Sequence, residues 1–336
     1  TWNFGVDTGM YPLGSCTMKY NPKTNERQCQ LAGFASAHPL LPPELAQGAL
    51  SMLYNLAQYL AEVTGMDAVS LQPAAGAHGE LAGMLLIFAY HRSQGAQRSK
   101  IIIPDTAHGT NPASATLCGY RSVPVKSGPN GVLEAEAIAA VMDEETAGIM
   151  VTNPNTLGLF EQNIRQITDI VHAKGGLVYC DGANMNAVMG IIDLKAIGVD
   201  VLHLNLHKTF AIPHGGGGPG VGPICVAPQL VDFLPGNPII STGGSQAIPA
   251  ISAAPWGSAL ACLISYAYIR MLGSEGLTEA TRIAILNANY VAASLKDYYD
   301  ILYKGTEGFV AHEMILDTKS SGMLTGARGR TPRDIH

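Results

Sequence analysis

An aspartate and a lysine, Asp181 and Lys208, each follow a short apolar run, residues 177–180 and 201–204. If both runs are parallel strands of one sheet, both side chains leave from the same carboxyl edge, where such sheets bind ligands. A lysine amine can hold an aldehyde covalently, and a carboxylate can keep a pyridine nitrogen protonated. Together they fit pyridoxal 5'-phosphate, with Lys208 carrying it as a Schiff base and Asp181 at the ring nitrogen. At about 4 Å and an effective dielectric near 20, such an ion pair is worth roughly 4 kcal/mol before desolvation. Taken alone, Lys208 reads as a surface lysine after a strand, and Asp181 as a cap for the turn at Gly182. The pairing raises both above that reading, as does the setting of Lys208 between His203-Leu204-Asn205-Leu206-His207 and a glycine-rich stretch.

Further groups could serve the same cofactor. Gly76-Ala77-His78 opens a helical pattern, and a helix start offers free N–H groups and a favourable dipole to a phosphate. His108 follows the apolar run 101–103, where a flat imidazole could stack on the pyridine ring and act on substrate protons; His78 is its rival for stacking. Thr152-Asn153-Pro154-Asn155-Thr156 ends another apolar run, so Thr152 and Asn155 offer a hydroxyl and an amide to the site, although the same string equally fits a turn built by Asn and Pro. No histidine or carboxylate cluster has metal-ligand spacing in the sequence.

The elements that must position these groups follow from periodicity. Apolar residues at helical spacing predict helices over 44–63, from the Gly76 turn to about residue 91, and over 161–174, the last closed by Gly175-Gly176. Short apolar runs at 101–103, 148–151, 177–180 and 201–204 predict strands, and their alternation with helices implies an α/β fold with a mainly parallel sheet sandwiched by helices. Residues 213–223 form a glycine-dominated loop, 254–271 and 277–299 are helical, and 309–316 reads as a strand opening a smaller region. The expected organisation is an N-terminal arm over 1–45, a large α/β domain over 46–300, and an incomplete small C-terminal domain over 301–336.

Composition bounds the function. Of 336 residues 47% are hydrophobic and 38 are glycine, which suits a large core with many tight turns. With 20 Lys and Arg and a net charge of -6, no basic surface for nucleic acid or anionic membrane is implied. Cys16, Cys29, Cys118, Cys180, Cys225 and Cys262 lack CxxC spacing and read as reduced thiols, mostly buried. No stretch approaches the ~20 apolar residues of a membrane span, and the start carries no signal-peptide pattern. The expected location is the cytoplasm, or an organelle matrix such as that of mitochondria. The apolar helix 254–271 exceeds what one core needs and implies a large interface.

Longer strings carry a resemblance. Tyr11-Pro12-Leu13-Gly14-Ser15-Cys16-Thr17-Met18-Lys19-Tyr20-Asn21-Pro22, the strings over 72–80, 107–114 and 181–186, His207-Lys208-Thr209, Leu286-Asn287-Ala288-Asn289-Tyr290 and Ala311-His312-Glu313 closely resemble the glycine-cleavage P-protein family, over essentially the whole chain. The N-terminal string is similar to subunit 2 of the two-subunit form, and Ile251-Ser252-Ala253-Ala254-Pro255-Trp256-Gly257-Ser258 to the catalytic half of the single-chain form. The resemblance implies a fold-type-I, aspartate-aminotransferase-like enzyme with pyridoxal phosphate on Lys208. It implies that glycine is decarboxylated and that its aminomethyl group passes to the lipoyl arm of the H-protein, in a heterotetramer with subunit 1 or a homodimer. Ala183 is then expected on the ring face opposite His108, Thr209 and Gly76 to His78 at the phosphate, and His207 beside the Schiff base. Two alternatives stand beside this reading: another fold-type-I lyase, such as an amino-acid decarboxylase or cysteine desulfurase, and a non-catalytic scaffold subunit of the same fold. A scaffold should lack the lysine and the aspartate, and both are present.

Overall fold

The computed structural model describes residues 21–214 and 218–318. Cys16, most of the Tyr11–Pro22 string, three loop glycines and the chain beyond 318 lie outside the described residues.

The chain begins with two short helices, α1 (Lys23–Gln28) and α2 (Ala32–Ala35), before the long α3 (Pro43–Thr64). Then follow β1 (Ala68–Ser70), α4 (Gly76–Ser93), β2 (Lys100–Pro104), α5 (Thr110–Leu117), β3 (Arg121–Val125), α6 (Ala135–Val141), β4 (Thr146–Thr152) and α7 (Ile164–Ala173). Next come β5 (Leu177–Gly182), β6 (Val201–Leu204), the single turn α8 (Leu206–Thr209), β7 (Ile224–Val226) and a long α9 (Ala259–Leu295). A pair of two-residue strands, β8 (Asp300–Ile301) and β9 (Leu316–Asp317), closes the described chain.

Seven strands form one sheet in the order β1-β7-β6-β5-β4-β2-β3. The pairs from β3 through β6 are parallel, and β7 runs antiparallel to both neighbours. Strands β5 and β6 are buried along their whole length, as expected where helices cover both faces of a parallel sheet. Side chains alternate between those faces. Ile102, Val178 and Cys180 join the core beneath α3, α6, α7 and α9, whereas Ile101, Ile103 and Tyr179 join the core beneath α4 and α5.

Helix α4 comes unusually close to the sheet because Gly76, Gly79 and Gly83 share one face of it. A Cβ on Gly83 would stand 2.8 Å from the Tyr179 ring, and one on Gly79 2.7 Å from the Gly222 carbonyl oxygen. This close approach puts the N-terminus of α4 against the ends of β5 and β6.

Several predicted boundaries change. Glu161 lies before α7 rather than in it. The helices predicted at 254–271 and 277–299 run together as α9, broken only at Gly273, whose φ of 63° and ψ of -175° are non-helical. The strand predicted over 309–316 is absent except for Leu316, since segment 309–315 makes side-chain and loop contacts instead of a ladder. Asp181 belongs to β5 itself, one residue from its end. Among the described residues no helix is long and apolar enough to cross a membrane. The described cysteines are free, with Cys180, Cys225 and Cys262 buried and Cys29 and Cys118 half-buried. Burial pushes the thiol of Cys180 up to about 12 and that of Cys118 to about 11, so neither is a ready nucleophile.

Candidate active site

The carboxyl ends of β4, β5 and β6 open into a cavity of about 280 Å3. Asp181 and Lys208 both line it, as do Gly76, Ala77, His108, Thr152, Asn155, Ala183 and His207. Parallel pairing explains the convergence: Thr152 is level with Asp181, and Asp181 with His203. One residue beyond β6, Asn205 caps α8, and the Lys208 N–H donates to the Asn205 carbonyl, which keeps Lys208 at the cavity.

At the other end of the cavity the first bond of the α4 ladder runs from the Gly79 N–H to the Ala75 carbonyl. The N–H groups of Gly76, Ala77 and His78 precede that ladder and form an anion-binding end. A Cβ on Gly76 would stand 2.6 Å from Asn205 Oδ1, so the Asn205 amide would have to shift to admit one.

Beneath the cavity, Glu80, Asp181 and His203 place ligand-type atoms within 4.8 Å of one another. His203 is fully buried; Tyr179 Oη meets its Nδ1 at 2.5 Å, while its Nε2 lies 3.6 Å from Asp181 Oδ1. Burial, and then the charge of Asp181, raise the Glu80 carboxyl to about 7. Thr110 Oγ1 stands 2.6 Å from Glu80 and 2.6 Å from His108 Nδ1. A hydroxyl has one proton to give, so the protonation of Glu80 sets the direction of this chain. Ionised Glu80 accepts from Thr110, which accepts from His108 Nδ1–H; protonated Glu80 donates to Thr110, which donates to His108.

Not every predicted contact points into the cavity. His78 spends both ring nitrogens elsewhere, Nδ1 accepting the Ala74 N–H at 3.2 Å and Nε2 meeting the Ile251 carbonyl at 2.8 Å. His78 does not line the cavity, whereas its rival for stacking, His108, does. Thr209 Oγ1 accepts the Met185 N–H at 2.9 Å, and neither side chain lines the cavity. Asn155 borders it, yet its amide is consumed locally. It donates to the Gly131 carbonyl and to Glu161, and accepts from the N–H groups of Leu157 and Leu159. For Asn155 the turn reading prevails over the cofactor contact.

Asn205, Glu80, His203, His312 and Glu313 belong to the site without having been singled out as site residues. Glu80, His312 and Glu313 fell within family-like strings, which gave a signal without a role. His203 and Asn205 flank Lys208, and nothing in spacing distinguished them from core residues.

The residues fit pyridoxal phosphate on structural grounds. The Thr152 hydroxyl and Asn205 Oδ1 are buried without a hydrogen-bond partner among the described residues, and buried polar atoms seldom remain so. A carboxylate, a lysine and an anion-binding helix start surround them. A larger cavity of about 590 Å3 between Phe34 and Trp256 contains a single titratable lining residue, His38.

Residues 79–251 match the aminotransferase class-V model and residues 280–330 the glycine dehydrogenase C-terminal domain model. A probable glycine dehydrogenase (decarboxylating) subunit 2 of Desulforamulus reducens is 49% identical over 336 residues, covering 96% of this chain and 69% of that protein. The chain belongs to the glycine dehydrogenase (decarboxylating) family. Another member of that family, from Christiangramia forsetii, is 52% identical over 94% of this chain, which spans 34% of it; for subunit 2 of Staphylococcus haemolyticus the identity is 50% and the span 65%. The chain thus covers between about a third and two thirds of the length of these glycine dehydrogenase relatives. A crystal structure of a glycine decarboxylase (P-protein) of the glycine cleavage system, in inhibitor-bound form, superposes with a TM-score of 0.66 at 22% identity, over 83% of this chain and 65% of that one. A cysteine desulfurase, CsdA of Escherichia coli, superposes at 0.65 with 13% identity, over 88% of this chain and 76% of that one. These two likenesses show the fold, that of the fold-type-I pyridoxal-phosphate enzymes. The cofactor of the glycine dehydrogenase family is pyridoxal phosphate.

Proposed function

We propose that this chain carries the catalytic cofactor site of a glycine decarboxylase that passes the aminomethyl group to the lipoyl arm of an H-protein. The observation that carries the reading is the meeting of Lys208, Asp181 and the α4 N-terminus in one cavity, in a chain half identical to glycine dehydrogenases over nearly its whole length.

In this reading Lys208 would hold pyridoxal phosphate covalently through its amine. The Gly76, Ala77 and His78 N–H groups hold the phosphate, and the Thr152 hydroxyl faces the ring. Asp181 keeps the ring nitrogen protonated, itself oriented by the Ala183 N–H at 3.0 Å. His108 and Ala183 would enclose the ring from opposite faces, and His207 lines the cavity with Lys208. The cofactor supplies a conjugated electron sink for the pair left when carbon dioxide departs. Lys208, the lysine among the described lining residues, could hold or move a proton there.

The reading extends to a partner P-protein subunit or a second copy, to the H-protein, and to action in the cytoplasm of a bacterium or archaeon or in the mitochondrial matrix. It keeps the division into an arm over 1–45, a large domain over 46–300 and a smaller C-terminal domain from 301.

The test is the visible absorbance of the purified protein, together with exchange of labelled bicarbonate into glycine in the presence of lipoylated H-protein. A band that vanishes in Lys208→Ala, with exchange dependent on the carrier, is the expected result. Retention of the covalent band in Lys208→Ala overturns the assignment.

A further inference from the structure

The segment Val310 to Ile315 is held over the cavity at several points. The Asn289 side chain on α9 accepts the Val310 N–H at 3.0 Å and donates to the Val310 carbonyl at 2.8 Å. The Ala311 N–H donates to the Gly158 carbonyl at 2.8 Å, and the Leu302 N–H to the Ile315 carbonyl at 3.0 Å. Gly158, at φ 83°, admits the segment because a Cβ there would meet the Glu313 carbonyl oxygen and would be strained besides.

Between these anchors His312 and Glu313 line the same cavity as Lys208 and Asp181. The His312 side chain is 6% exposed, and its Nε2 lies 3.7 Å from Glu313 Oε1, beyond hydrogen-bond reach. Both ring nitrogens are buried without a hydrogen-bond partner among the described residues. A buried imidazole set beside a lysine with neither nitrogen engaged is a group waiting for a ligand. Burial first, and the Lys208 cation second, lower its pKa to about 4, so near neutrality the ring is uncharged and has one N–H to donate.

Among the described residues the cavity wall contains no arginine, and Lys208 is its one lysine. We propose that His312 is the contact for the carboxylate of the amino-acid substrate, a neutral imidazole N–H standing where a fixed cation could have stood. This deepens the reading above and rests on it. The choice suits a carboxylate that must leave as neutral carbon dioxide: a guanidinium would hold the ground-state charge more tightly than the transition state and slow its loss. Glu313, whose carboxyl burial raises, keeps a second acceptor beside that place and disfavours tight anchoring of an anion.

The test compares two amines with the intact protein, cofactor bound and partner subunit present. Glycine and methylamine share the amine, and only glycine has the carboxylate; both are titrated by the change in the cofactor spectrum. His312→Phe is expected to weaken glycine by about tenfold or more while leaving methylamine unchanged. His312→Gln, which retains an N–H donor, should recover most of the difference. Equal weakening of both amines, or glycine within twofold of wild type, overturns the proposal. Should His312→Phe fail to retain cofactor, His312→Gln against His312→Leu decides by the same ratio. A wild type indifferent to glycine overturns the functional reading instead, and the carboxylate contact is then judged on alanine against ethylamine.

Discussion

Glu80 and Asp181 bring two buried carboxylates within 4.8 Å at the floor of the cavity, with His203 as the third member of the cluster. Two carboxylates so close cannot both ionise cheaply in a buried place. The cost falls on Glu80, which burial and then Asp181 raise from 4.5 to about 7.

That shift makes a pH prediction for the cofactor-free protein. A carboxyl whose folded pKa is raised stabilises the fold fully below its unfolded value and loses that stabilisation as pH climbs through the folded one. Stability to denaturant should therefore fall between about pH 4.5 and 7, by about 3 kcal/mol if Glu80 acts alone. Glu80→Gln cannot ionise and should flatten that window. An unchanged slope in the variant would assign the pH dependence to other groups.

Asp181→Asn separates position from charge. The amide oxygen can still accept the Ala183 N–H that Asp181 Oδ1 holds at 3.0 Å, so folding and cofactor attachment should persist. Loss of roughly 4 kcal/mol of ion pairing corresponds to about a thousandfold in turnover. Steady-state rates beside a cofactor spectrum measure both quantities.

Asn155 and Thr152 should behave oppositely although they border the same cavity. Asn155→Ala breaks four hydrogen bonds, three of them buried, and strips Glu161 of a donor, costing about 2–4 kcal/mol of stability in urea unfolding. Thr152→Val removes a hydroxyl that has no partner among the described residues. It should leave stability within about 1 kcal/mol and weaken cofactor retention.

Gly83→Ala tests the close approach of α4. The new methyl meets two ring carbons of Tyr179 at 2.8 Å, and that ring cannot retreat because it is fully buried and bonded to His203. A loss of about 1–3 kcal/mol is expected, read as a lower Tm, with weaker cofactor binding as the helix N-terminus is displaced.

Much of the sheet was legible because its strands announce themselves. The run 201–204 is β6 as predicted, and β5 extends the predicted run by two residues, Asp181 and Gly182. The strands missed, β1, β3 and β7, lie toward the sheet margins beyond β6 or β2. Of these, β3 is only partly buried and contains Pro124, which weakens the apolar signal on which periodicity depends, whereas β1 and β7 are three residues long, too short for a period to show. The strand expected at 309–316 had the right apolar content, but Asn289 and Gly158 offer its backbone partners outside any sheet.

The sequence by itself determined the chemistry available: a lysine and an aspartate after successive parallel strands must project from one edge, because parallel pairing fixes direction. It also determined the anion-binding turn, since a helix that starts on Gly76-Ala77 leaves N–H groups unpaired. Only the tertiary structure decided which neighbours those groups meet. Glu80 stands 101 residues from Asp181 in the chain, and His312 104 residues from Lys208, and no local pattern links them. Helix packing brings Glu80 under the cavity, and the Asn289 and Gly158 anchors bring His312 over it. Burial then sets their protonation, because the free energy of a charge depends on the solvent that packing removes.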